Sequence, residues 1–274
     1  MKKKKIIPCT EIITQYNGLI HSTCKDEENK TIDTNLLFYE ILELGSYKQN
    51  EINQLLTILN QIAGYKITYL NNEPVLIKVS SKVHHFKLAE VEYILENKET
   101  YYAEFSIKKK SGKLRKINAP TSWLKFLLRD LATLFYILRT PDKHSFGFEL
   151  NRNIVENAKL HIGKKVVLNI DLKDFFPNIN ETQVKEIFTN APFHLNNHLA
   201  ELLTSLTTYK SKLPQGASTS PIISNYVCYN LDSQLSHFCK IHNITYTRYA
   251  DDLTFSHTYN ISKKLQNLIN VSSG

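Results

Sequence analysis

The sequence predicts an α+β fold on three observations. Residues 33–62 carry Leu36, Leu37, Ile41, Leu42, Leu55, Leu56 and Leu59 at helical spacing. Two short runs of strand formers, YKITYL and PVLIKVS, follow around NNEP. Near the other end, TYTRY and LTFS flank the triplet ADD as a hairpin.

Taken in order, KDEENK (25–30) reads as a solvated loop, and Gly45-Ser46 divides the first helical stretch into two helices. No chemistry is legible in residues 1–84, which read as a mainly helical N-terminal extension; residues 85–274 read as a second domain. There KLAEVEYIL is a short helix. YYAEFSIKKKSGKLRKINAP is a hairpin whose turn, KKSGK, has Gly112 to take a positive φ. WLKFLLRDLATLFYIL (123–138) is an amphipathic core helix, because Lys125, Arg129 and Asp130 interrupt it too often for a membrane span. KKVVLNID is a strand ending in Asp171. A helix starts near Asn180, which stands in capping-box spacing with Gln183, and another spans 196–208. LPQGASTSP is a loop, Ser220 and Pro221 are N-cap and N1 of a helix striped by Ile223, Val227, Leu231, Leu235 and Phe238, and the last hairpin holds Asp251 and Asp252 in its turn.

The formal charge of +8 leans towards polyanionic partners. Four cysteines without CxxC spacing argue against zinc and against a disulfide scaffold, and suit a reducing cytoplasm. MKKKKIIPC lacks the apolar stretch a signal peptide needs, and no membrane partner is expected. No GxxxxGK[ST] loop is present, which excludes a P-loop kinase.

The paired aspartates carry the chemistry. Aspartate is common in turns, so the pair alone means little. If the strand ending in Asp171 lies beside the hairpin bearing Asp251 and Asp252, three carboxylates converge, at a cost on the order of several kcal/mol unless cations offset it. Two Mg²⁺ ions, roughly 4 Å apart, would do so and would serve two-metal phosphoryl transfer. Gln215 and Gly216 in LPQG offer an amide and a close backbone approach, and the basic hairpin lies upstream.

NIDLKDFFPNI, LPQGASTSP and TRYADDLTFS, in this order, resemble the palm motifs of reverse transcriptases, and KKSGKLRKINAP is similar to the fingers hairpin of the bacterial members. Asn157-Ala158 and His161 resemble the NAxxH element of retron reverse transcriptases. The resemblance covers roughly residues 86–256. It implies right-hand polymerase fingers and palm, with an antiparallel palm sheet backed by helices. The activity implied is RNA-directed DNA synthesis on a structured non-coding RNA, in a bacterial cytoplasm and in antiphage defence.

By that resemblance Asp171, Asp251 and Asp252 would be catalytic and hold two Mg²⁺ ions. Phe176 would be the steric gate against a ribose 2′-OH. Gln215 and Gly216 would border the incoming nucleotide and template. Arg115, with Lys109 or Lys113, would hold the triphosphate of a deoxynucleotide, Arg through its bidentate geometry. Asn157 and His161 would serve RNA binding. Partners implied are the RNA template and primer, deoxynucleoside triphosphates, and an effector protein.

One departure stands out. Only twenty-two residues follow Asp252, and the family's lysine-bearing palm segment, primer-grip hairpin and helical thumb are not among them. The expectation is a thumb largely absent, or supplied by a separate chain, and little processive synthesis by these residues alone. Alternatives are another defence-associated or group II intron-like reverse transcriptase, or a non-catalytic RNA-binding remnant.

Overall fold

The structure, a computed structural model, describes residues 6–10, 23–25, 31–33, 51–70, 73–80, 83–109, 112–138, 142–190 and 193–259. The loop expected at 26–30, the first helix expected before Gly45-Ser46 and the helix expected at KKLQNLIN lie outside these residues. The chain forms two compact units, Met1–Thr140 with Asn180–Ser220 and Pro141–Ile179 with Pro221–Gly274.

In the first unit, β1 (Ile6–Thr10), β2 (Thr23–Lys25), β3 (Thr31–Asp33), β4 (Tyr65–Leu70) and β5 (Glu73–Lys78) form an antiparallel sheet in the order β3-β2-β1-β5-β4. Residues 1–84 were expected to be mainly helical; among their described residues are these five strands and one helix. Strands of three to five residues are too short to show an alternation, and β1 finds its partner far along the chain, Ile6 opposite Ile77. The helix Glu51–Gln61 is where its leucine spacing placed it and buries Leu55, Leu56, Ile58 and Leu59.

The hairpin of β6 (Tyr102–Lys108) and β7 (Leu114–Pro120) runs in unbroken register from Tyr102 opposite Pro120 to Lys108 opposite Leu114. Gly112, at φ +83, makes its turn. The helix Ser122–Ile137 buries Leu124, Leu127, Leu128, Leu131 and Phe135, the three- and four-residue steps of one helical face. In the helix Glu181–Thr189 the expected capping box is formed: Asn180 Oδ1 accepts from Gln183 N, and Gln183 Oε1 from Asn180 N, each at 3.0 Å.

In the second unit, β8 (Val166–Asp171), β9 (Thr245–Tyr249) and β10 (Asp252–His257) form an antiparallel sheet in the order β8-β10-β9. Tyr246, Leu253 and Phe255 point to one face and pack on Leu235 and Cys239 of the helix Tyr229–Ile241, with Leu168 and Ile170 against them. Burial in this apolar layer pushes the Cys239 thiol up to about 12.

The single helix expected after Ser220 is two, Ser220–Val227 and Tyr229–Ile241, parted at Cys228. Cys228 N still donates to Ser224 O, so the stripe stays nearly in phase. Ser220 is the first helical residue, and its hydroxyl donates to the Pro214 carbonyl at 2.6 Å instead of capping the helix. No helix among the described residues is long and apolar enough to cross a membrane.

Candidate active site

The carboxylate cluster is built by strand register. Asp171 ends β8 and Asp252 begins β10, and the two are direct antiparallel partners. Partners across a ladder present their side chains to the same face, about 5 Å apart, and both residues are exposed. Asp251 is the neighbour of Asp252 in the turn, and its carbonyl accepts Leu172 N at 2.9 Å, which ties the tip of the hairpin to the end of β8. The sequence reading that placed both Asp251 and Asp252 in the turn is corrected: Tyr249 pairs with Asp252, so the loop is Ala250-Asp251 alone.

Electrostatics follow from the geometry. Partial burial, and then the charges on Asp251 and Asp171, hold the Asp252 carboxyl above its usual value. Carboxylate oxygens are the hard donors that a divalent cation such as Mg²⁺ takes, with positions left for phosphate and water. Among the described residues, no three His, Cys, Asp or Glu side chains already close round a common point.

Behind this edge lies a network that sequence reasoning missed. Arg248 points to the core face of β9 and is fully buried. Its Nε and Nη2 donate to Asp232 at 2.9 and 2.6 Å, Nη1 donates to Asn225 Oδ1 at 3.0 Å and to the Ala250 carbonyl at 3.1 Å, and Nη2 also donates to Ser145 Oγ at 3.2 Å. Burial works against the guanidinium charge, but the bonds to Asp232 outweigh it and raise its pKa. Tyr246 completes the group, donating from its hydroxyl to Asp232 at 2.7 Å. The available signal was an arginine at an inward strand position, with an acid, Asp232, on the buried stripe of the preceding helix.

On the aspartate face, the far end of the sheet is covered by the helix Ile154–Lys159 and the turn after it. His161 reaches both strands: Nδ1 lies 2.6 Å from Ser256 Oγ and Nε2 2.8 Å from Thr247 Oγ1. Burial first, then Lys164, holds its imidazole below the usual value. Asn157 is buried in that helix. Both expected RNA-binding residues are thus turned into the protein. Phe176 sits in the short turn Phe175–Asn178, half-buried, with its ring 5.8 Å from that of Phe148.

The remaining candidates gather in the first unit. Lys109, Lys113 and Arg115 are exposed at the end of the β6–β7 hairpin, where Lys109 N donates to Lys113 O at 2.8 Å. The LPQG loop lies against this hairpin: Gln215 O accepts Asn118 N at 2.9 Å. Gly216, at φ +139, comes so close that a Cβ there would meet Asn118 O at 3.0 Å and Ile117 Cγ2 at 3.1 Å. Glu104 fastens the base of the hairpin, accepting Tyr209 OH at 2.8 Å and pairing with Lys210.

A family model described as reverse transcriptase (RNA-dependent DNA polymerase) matches residues 107–272, more than half of the chain. The chain is 33% identical over 178 residues to the retron Ec86 reverse transcriptase of Escherichia coli, covering 64% of this chain and 55% of that protein. It is 37% identical over 177 residues to the retron Mx162 reverse transcriptase of Myxococcus xanthus, covering 58% and 36%. With the retron Mx65 reverse transcriptase of the same organism the identity is 34% over 174 residues, covering 57% and 40%. The chain therefore spans about half, or less, of the length of these relatives.

Proposed function

The chain belongs to the reverse transcriptase family, and we propose that it serves as an RNA-directed DNA polymerase of retron type, copying a structured non-coding RNA into DNA. One observation carries the proposal: strand register makes Asp171 and Asp252 direct partners beside Asp251, at the end of the β8–β10 ladder in a three-stranded sheet. On this reading the second unit supplies the palm and the β6–β7 hairpin the fingers.

Asp171 and Asp251 would hold two Mg²⁺ ions, with Asp252 as a further ligand or as electrostatic support. When bound, the metal would supply charge neutralisation at the reacting phosphate and a lowered pKa for the primer hydroxyl. The protein's own residues do the positioning. Arg115 with Lys109 or Lys113 binds the triphosphate, Gln215 and Gly216 border the nucleotide, and Phe176 excludes a 2′-hydroxyl. The primer hydroxyl oxygen then bonds to the α-phosphorus, the α–β bridge breaks, and pyrophosphate leaves. Asn157 and His161, facing inward, serve RNA binding by holding the surface that meets it. The setting proposed is antiphage defence in the bacterial cytoplasm, with an effector protein as partner.

The test is nucleotide incorporation by residues 1–274 on a primed RNA template with Mg²⁺. Addition of the first nucleotides, without long products, is expected for the unaltered chain and lost in Asp171→Asn and Asp251→Asn, with circular dichroism unchanged. Incorporation by Asp251→Asn at the unaltered rate would sink the proposal.

A further inference from the structure

Asp251 is only as well placed as the turn that presents it, and that turn is not relaxed. Ala250 has φ +59, a left-handed conformation that costs a residue with a Cβ about 1–2 kcal/mol. Such a conformation persists where its surroundings over-determine it. Here they do so from two sides.

Arg248 Nη1 donates to the carbonyl of Ala250 itself, and the rest of the guanidinium fork is fixed by Asp232, Asn225 and Ser145. The segment 144–147 lines the outer edge of β9: Arg248 N donates to His144 O and Phe146 N to Arg248 O, both at 2.8 Å. It brings Gly147 against the turn, so close that a Cβ there would stand 2.1 Å from Ala250 N. Asn225 Nδ2 locks this segment in turn, donating to Gly147 O at 3.0 Å and to Glu149 Oε1 at 2.9 Å.

Stability alone does not call for this arrangement. A buried ion pair is commonly matched or bettered by apolar residues of the same volume, and the position faces an apolar layer. What an apolar residue, or a lysine, lacks is a planar fork that ties one helix, one loop and one turn carbonyl together. We propose that Arg248 is a positioning residue: braced by Asp232 and Asn225, it fixes from behind the strained turn that offers Asp251 and Asp252 to divalent metal. The inference rests on the reading of these aspartates as metal ligands.

Mn²⁺ binding to the 1–274 chain, followed by the loss of free-ion paramagnetic resonance signal, tests it apart from catalysis. Arg248→Lys keeps the charge and loses the fork. Gly147→Ala leaves the ion pair and displaces the turn. Ser145→Ala removes a single hydroxyl and is the mildest cut, securing a folded member of the set. Mn²⁺ affinity is expected to fall about 10- to 100-fold in Arg248→Lys and Gly147→Ala, the usual cost of losing a group that orients metal ligands, and measurably in Ser145→Ala. In nucleotide incorporation the loss should fall on kcat more than on the KM for deoxynucleotide. If Asp251→Asn binds Mn²⁺ as well as the unaltered chain, the metal reading itself fails. If Asp251→Asn loses Mn²⁺ while the folded clamp variants bind it with unaltered affinity, the positioning role is overturned and the metal reading stands.

Discussion

Asp171 and Asp252 oppose each other directly across β8 and β10, two like charges on one face of a sheet. Direct like-charge pairs destabilise a ladder, and here a third carboxylate, Asp251, adds to the repulsion. The folded-state pKa of Asp252 is raised above its ordinary 3.8. The native protein therefore holds more protons than the unfolded chain from about that pH upward, and stability falls as pH rises through this window. Asp252→Asn is expected to raise the thermal midpoint of the metal-free protein at pH 7 and to flatten its decline above pH 4. Mg²⁺ should raise the midpoint of the unaltered chain more than that of the variant. Calorimetry at pH 4 and pH 7, with and without Mg²⁺, checks both.

His161 gives the opposite sign. Its folded-state pKa is lowered from 6.5, so its contribution is complete above pH 6.5 and is lost as pH falls through the lowered value. Its two nitrogens satisfy Ser256 and Thr247, which are 0% and 1% exposed. His161→Ala orphans both hydroxyls, at about 1–3 kcal/mol each. Urea denaturation should show that loss at pH 7.5 and a smaller difference at pH 5, where the unaltered chain has itself weakened.

Much of both units was legible in the sequence where the signals are local. VVLNID and LTFS read as strands, Asn180 with Gln183 as a capping box, and the spacing of Leu124, Leu127, Leu131 and Phe135 as one helical face. That Asp171 meets Asp252 follows once β8 and β10 pair, and the pairing itself had to be supposed. Long-range relations were not legible. The five-stranded sheet joins two strands that were read, β4 and β5, to three of three to five residues that are too short to show a period. The Arg248–Asp232–Asn225 network draws on three elements, and the inward turn of His161 depends on two hydroxyls more than eighty residues away. A short motif names residues without telling whether they face solvent or core.

The LPQG loop makes a steric prediction. Gly216 combines φ +139 with backbone of β7 at 3.0 Å from where a Cβ would stand. Alanine there strains the chain and crowds Asn118 O and Ile117 Cγ2, beside the bond from Asn118 N to Gln215 O. Gly216→Ala is expected to cost more than about 1 kcal/mol of stability. On the proposed function it also raises the KM for deoxynucleotide several-fold. Gly163→Ala is the control, since Gly163 also has a positive φ, +73, and its Cβ would meet nothing within 4 Å: it carries the positive-φ strain alone, away from the hairpin that bears Lys109, Lys113 and Arg115, and its KM should be unchanged.

Phe176 follows Asp174, a non-glycine residue at φ +47, and this left-handed step starts the turn that carries the ring. The ring lies 5.4 Å from Phe175 and 5.8 Å from Phe148, while Phe175 is the more buried of the two neighbours. Phe175 therefore fills core, while Phe176 is only half-buried; on the proposed function its ring meets the sugar of the nucleotide. Truncation to alanine should separate the roles. Phe176→Ala is expected to relax discrimination against ribonucleotides by about 10- to 200-fold, the range one apolar contact supports, with less than about 2 kcal/mol of destabilisation. Phe175→Ala should cost about 3–5 kcal/mol, as a buried aromatic does, and leave the discrimination of whatever protein folds unchanged. The ratio of kcat/KM for deoxy- and ribonucleotides, measured for both variants beside a denaturation curve, decides; equal ratios in the unaltered chain and Phe176→Ala would remove the gate from that ring.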